Sequence, residues 1–153
     1  MSIDSRRWVL LADPEDYGWN ELVGEHTAVW DGIKNARAQE NLKKCRAGDL
    51  VLIYHTAPDK AIIGTARVTR EAYPDPKREG AVVIEVQPIS ALSRPLPLAE
   101  LKADAVLSQM SFVKMPRVAV QPVTSEQWDR AMQLSGTDLG DSVGSDPAET
   151  GGP

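Results

Sequence analysis

The run Asp49 to Thr56, DLVLIYHT, restricts the possible folds of this chain more than any other segment. Gly48 precedes it and Ala57-Pro58-Asp59-Lys60 follows, so it reads as a strand entering a tight turn. Its apolar residues occupy both faces, which places it inside a sheet covered on both sides. Alternation puts Leu50, Leu52 and Tyr54 on one face and Val51, Ile53 and His55 on the other. Tyr54 and His55 therefore cannot face one pocket unless the strand bends.

The neighbouring segments supply partners for that strand. Arg7 to Leu11 reads as a strand ended by Ala12-Asp13-Pro14, because proline excludes a helix through Asp13 and donates nothing to a ladder. A turn-rich stretch with Tyr17 and Trp19 follows, then the short apolar approach Thr27 to Trp30. Ile33 to Arg46 lacks Gly and Pro and meets Gly48, so it reads as a helix with a left-handed stop. Ala61 to Thr69 and Ala81 to Gln87 read as strands separated by the turn Tyr73-Pro74-Asp75-Pro76. Pro97 to Lys102 reads as a short helix and Arg117 to Gln121 as a last strand. Thr124 and Gln127 have capping-box spacing, and Val123 and Trp128 sit where a hydrophobic staple would clasp a final helix ending near Leu134. Short strands with tight turns, followed by helices, imply an α+β fold with a curved, mostly antiparallel sheet.

Composition narrows the function. A chain of 153 residues, 42% hydrophobic and 25% charged, matches one ordinary globular domain. The net charge is −5, but the segment from Ser135 to Pro153 carries Asp138, Asp141, Asp146 and Glu149 with no Lys or Arg. Setting aside those four of the 22 acids leaves 18 against 17 bases, so the near-neutral remainder must recognise a partner through a pocket rather than a basic field. The segment 135–153, rich in Gly, Ser, Thr and Asp, reads as a disordered acidic tail after a domain spanning 1–134. Cys45 is the only cysteine, and His26 and His55 the only histidines, so no disulfide, metal or cofactor is expected. No apolar run reaches membrane-spanning length and MSIDSRRWVLL lacks a signal-peptide pattern, which points to a cytoplasmic protein.

Several ordered blocks carry a family resemblance. They are Trp8 to Pro14, Trp30-Asp31-Gly32-Ile33-Lys34-Asn35, Gly48 to Thr56, Ile63-Gly64, Glu71 to Pro76, and Val120-Gln121-Pro122-Val123-Thr124. Together they resemble the EVE domain of the PUA-like superfamily, a relative of YTH and ASCH domains, over about residues 7 to 134. The resemblance implies a PUA-like β-barrel with flanking helices that binds modified bases in DNA or RNA. The chain departs from the family pattern at Leu11, Ala12-Asp13, Ala36-Arg37-Ala38-Gln39 and Ala81, which removes a hydroxyl and aromatic groups near the implied pocket.

A base reader needs a flat apolar platform and fixed partners for the base edge. Trp30 has two readings, a core tryptophan or that platform, and the resemblance favours the pocket. Asn35 shares a helix stripe with Ala38, Leu42 and Cys45, so its amide either caps its own helix or reads a base edge from an inward face. Ala12, His55 and the Thr56 backbone are candidate contacts with Tyr54 as support, and Asp13 and Asp31 are rim acceptors or turn caps. Lys34, Arg37, Lys43 and Lys44 either meet phosphates or form a solvated basic face.

The expectation is a monomeric, non-enzymatic module binding DNA or RNA with a modified base, such as methylated or hydroxymethylated cytosine, and no membrane. Two other classes stand beside it: an amidohydrolase acting on a modified nucleoside, and a protein-interaction module using the acidic tail.

Overall fold

The computed structural model describes residues 6–139. The segment DLVLIYHT forms the interior strand β3 (Leu50–His55), every residue of which is buried. It pairs in parallel with β1 (Arg7–Ala12), Arg7 opposite Leu50 through Ala12 opposite His55. On its other side lies β4 (Ala61–Pro74), antiparallel, followed outward by β5 (Val82–Pro97) and the short edge strand β2 (Ala28–Trp30). The opposite edge is β6 (Val120–Pro122), antiparallel to β1. The order is β2-β5-β4-β3-β1-β6, a mixed sheet in which β1 with β3 is the single parallel pair.

The alternation along β3 separates two cores. Val51 and Ile53 face a cluster with Trp8, Leu10, Ala66, Val68, Ile84 and Trp30. Leu50, Leu52 and Tyr54 face a second cluster with Val9, Ile62, Leu96, Phe112 and Trp128. Two helices cover the first face, α1 (Trp19–Glu25) through Trp19 and Leu22, and α2 (Ala36–Leu42) through Ala38 and Leu42. The second face is covered by α3 (Leu98–Ala103), α4 (Ser111–Lys114) and α5 (Ser125–Ser135), with a 3-10 turn at Leu107–Gln109. No helix among the described residues is long and apolar enough to cross a membrane.

The sheet curls because β4 and β5 are long and irregular. Their register shifts at Ile62/Gly64, Thr65/Ala66, Val68/Arg70 and Arg70/Tyr73, and each extra residue bends the strand and sharpens its twist. The strand expected at Ala81 to Gln87 therefore continues to Pro97. Pro88 sits opposite Ala66 at one of these irregularities, where a missing ladder donor is tolerated. The strand expected to stop at Thr69 likewise runs through Tyr73 to Pro74, and the turn begins only at Asp75.

Other boundaries move for local reasons. Helix α2 occupies half of the expected Ile33 to Arg46: Gly32 has φ +77°, Asn35 is extended, and turns at Lys44 and Cys45 close the far end. Helix α1 lies in the stretch expected to be turns, since its N-cap Gly18 offers no side chain and Glu21 instead accepts the Gly18 N–H at 2.9 Å. That bond holds the Glu21 carboxyl below its usual range. The last strand is shorter than Arg117 to Gln121, because Val118 turns back on Met115 and the Gln121 amide donates to the Met115 and Val118 carbonyls.

The chain entry to α5 follows the expectation closely. Thr124 accepts from the Gln127 N–H, Gln127 accepts from the Thr124 N–H, and Val123 and Trp128 share the second core. The folded part extends past Leu134, however: Ser135 is buried in the helix, Thr137 Oγ1 accepts the Ser93 N–H, and Leu139 packs on the second core. The expected tail thus loses its first five residues to the domain, and its remainder, 140–153, lies outside the described residues.

Candidate base-binding site

The curled sheet does not close on itself: β2 and β6 are its two edges. Helix α2 spans the seam from β5 and the link after β2 to β6. On one side Gln39 donates to the Ile33 and Val82 carbonyls and accepts the Val82 N–H. On the other, the Asn41 amide donates to the Val120 carbonyl at 2.7 Å. Beside this bridge the seam opens into a cavity of about 480 Å³. Its walls are the end of β1 (Leu11, Ala12, Asp13), the link at Asp16 and Tyr17, Glu25 at the end of α1, the strip Ala28 to Ile33, and Ala119. The Leu11 N–H donates to the Ala119 carbonyl at 2.8 Å and fixes the wall next to β6.

Two rings form a corner of this cavity. Trp30 and Tyr17 meet edge to face, with centroids 5.9 Å apart and planes at 83°. Trp30 is 7% exposed and belongs to the first core, so it is a packing residue and a cavity wall at once. Tyr17 is half-buried, and its hydroxyl donates to Glu25 Oε1 at 2.7 Å. Burial, and then the adjoining Glu25 carboxylate, push the Tyr17 hydroxyl well above its ordinary range, so it stays a protonated donor.

The polar groups of the walls are mostly acceptors. Asp13, Asp16, Glu25 and Asp31 line the cavity, and no Lys, Arg or His does. Asp13 Oδ1 accepts the Glu15 N–H and its carbonyl accepts from Asp16 and Tyr17, so it also shapes the turn after β1. Asp31 lies 3.6 Å from the Lys77 ammonium. Such walls repel phosphate and favour N–H donors on an entering molecule. Among the described residues these acids do not converge as a metal-binding group.

Of the residues singled out in the sequence, Ala12, Asp13, Trp30 and Asp31 come together around the cavity. Asn35 does not join them. It is exposed rather than inward, and its Oδ1 accepts the Ala38 N–H at 2.9 Å as the N-cap of α2. Tyr54 points to the opposite face, as alternation requires, and packs against Phe112 with ring centroids 4.8 Å apart. His55 is buried away from the cavity: its Nε2 accepts the Trp19 N–H, so the proton sits on Nδ1 and is donated to Asp59 Oδ2 at 2.9 Å. Thr56 donates its N–H to the Ala12 carbonyl and so supports the wall from behind. Lys34, Arg37, Lys43 and Lys44 are exposed on and around α2, with Lys43 3.3 Å from Glu40.

Tyr17, Asp16 and Glu25 were not legible as site residues. Reading α1 as a helix would have found the pair, because its length is what returns Glu25 to the Tyr17 hydroxyl.

Comparison with known proteins decides the family. The EVE domain model matches residues 6–134. The chain belongs to the EVE domain family. This EVE domain is 25% identical over 173 residues to mouse thymocyte nuclear protein 1, covering 88% of this chain and 75% of that protein. An NMR structure of a Rhodopseudomonas palustris protein has a TM-score of 0.81 at 32% identity, covering 85% of this chain and 92% of that one. The human THYN1 protein, solved in complex with 5-methylcytosine-containing DNA, has a TM-score of 0.78 at 23% identity, covering 86% and 98%. The expected α+β, PUA-like architecture holds, as a curled six-stranded half-barrel with five α-helices among the described residues.

Proposed function

We propose that this EVE domain reads a modified nucleobase in DNA, with methylated cytosine the reference ligand, by taking the base out of its stack into the seam cavity. The observation that carries this reading is the corner formed by Trp30 and Tyr17 in a cavity of about 480 Å³, a size suited to one small planar molecule. It is supported by membership of a family in which the human THYN1 protein was solved with 5-methylcytosine-containing DNA. The acceptor-rich walls suit the exocyclic amine of cytosine better than the carbonyl of thymine.

The energetics require help from outside the cavity. Flipping a base costs a few kcal/mol and one aromatic stack returns about 1–3 kcal/mol. Phosphate contacts along the strand make up the remainder, and Lys34, Arg37, Lys43 and Lys44 are the exposed cations on and near α2 for that task. A methyl group adds about 0.8 kcal/mol on burial, so methylated over unmodified cytosine should be preferred by only a few-fold.

The test is a binding series on short duplexes carrying 5-methylcytosine, 5-hydroxymethylcytosine, thymine or cytosine at one position, with a matched RNA. Tyr17→Ala should weaken binding to the methylated duplex about ten-fold, equivalent to about 1.4 kcal/mol, and remove the preference among bases. Trp30→Phe should do the same more mildly and is preferred to Trp30→Ala, which would cost the core roughly 3–5 kcal/mol. Folded variants that bind with unchanged preference would refute the ring corner as the reading site. The amidohydrolase alternative has no comparable support: His55 is buried away from the cavity, with both ring nitrogens engaged within the fold.

A further inference from the structure

The cavity walls carry four carboxylates, which repel the phosphates flanking an entering base. A cation at the rim offers one of those phosphates a partner. The hairpin joining β4 to β5 carries such a cation against the strip Asp31 to Ile33. Its turn is fixed by the Asp75 N–H on the Ala81 carbonyl and the Lys77 N–H on Asp75 Oδ1, and Gly80 takes φ +84°. Arg78 anchors the hairpin to the rim, with Nη1 donating to the Ile33 carbonyl at 2.7 Å. Lys77 then reaches Asp31, Nζ to Oδ2, at 3.6 Å.

Resting on the reading of the cavity as a base pocket, we propose that Lys77 is a shared cation that neutralises Asp31 before a base enters and passes to a DNA phosphate when it does. The pair is suited to exchange. The Lys77 side chain is 79% exposed and that of Asp31 41%, and an ion pair so exposed contributes little to stability. Replacing the carboxylate partner by a phosphate costs the fold almost nothing. The exchange also uncovers Asp31, whose carboxylate becomes free to accept an N–H from the base edge. Lys77 is a positioning residue in this scheme, linking backbone capture at the hairpin to an acceptor in the cavity.

The experiment is the salt dependence of binding to a duplex with one 5-methylcytosine and to its unmodified match, for the wild type, Lys77→Gln and Lys77→Arg. Each phosphate contact on B-DNA contributes a slope of about −0.9 in log Kobs against log salt. Lys77→Gln should make the slope shallower by about one, weaken both duplexes by the same factor, and keep the ratio between them. Lys77→Arg should restore the slope, and both variants should melt with the wild type. An unchanged slope in Lys77→Gln, with the wild type still preferring the methylated duplex, overturns the role of Lys77 and leaves the pocket reading standing. A wild type without any preference overturns both.

Discussion

At Gly64 the fold depends on a side chain that is not there. A Cβ at this position would lie 2.7 Å from two ring carbons of Trp19, which packs across the strand. The same tryptophan donates its backbone N–H to His55, so one residue ties α1 to both β3 and β4. Gly64→Ala should displace the ring and destabilise the domain by about 1–3 kcal/mol, read as a lower urea midpoint. An unchanged midpoint would show that the ring can move freely. None of this contact was legible beforehand, because Trp19 sits 36 residues from His55 and only the folded sheet brings them together. At Trp30 and Asn35, by contrast, the residues already offered the structural role that each one has. Trp30 packs in the core and also lines the cavity, whereas Asn35 caps its own helix.

Elements whose signals are local were read correctly, and those set by tertiary contacts were not. The box at Thr124 and Gln127 with its staple needs only the six consecutive positions Val123 to Trp128, so the entry to α5 was legible. Helix α1 is short, capped by a glycine and stabilised by Trp19 and Leu22 in the core, and no periodicity announces it. Strand β5 was cut short because proline normally excludes a ladder, whereas here the bulges admit it. Helix α5 is also tied to the 3-10 turn by Asp104. Its Oδ1 accepts Arg130 at 2.9 and 2.7 Å and its Oδ2 accepts the Val106 and Leu107 N–H groups. The Arg130 guanidinium, then the Leu107 N–H, hold the Asp104 carboxyl below its ordinary range. A carboxyl depressed in the folded state stabilises above its unfolded value of about 3.9, and this contribution fades as pH falls through the folded value. Asp104→Asn should therefore be less stable than the wild type at neutral pH, with the gap narrowing below about pH 4 in urea titrations. A gap that stays constant down to the acid limit would contradict this linkage.

For the whole molecule, the decisive feature is a sheet that curls without closing. Bulges in β4 and β5 curl the sheet so that its edges β2 and β6 approach, α2 spans from β5 and the link after β2 to β6, and the uncovered part of the seam is the cavity. Its walls come from five stretches, around residues 12, 17, 25, 30 and 119, so their meeting is a property of the curl rather than of any motif. That is why the family resemblance gave the architecture while half of the expected contact residues, Asn35, Tyr54, His55 and Thr56, lie outside the cavity walls. Half of the acidity of the walls, Asp16 and Glu25, was equally hidden, since charge counted along the chain does not reveal which acids converge. A structure of this protein bound to a short DNA duplex with a single 5-methylcytosine tests the account most directly. The methylated base should be turned out of the helix, its ring against Trp30 and Tyr17 in the seam. A bound duplex whose 5-methylcytosine stays stacked, or which docks on another face and leaves the seam empty, would contradict it.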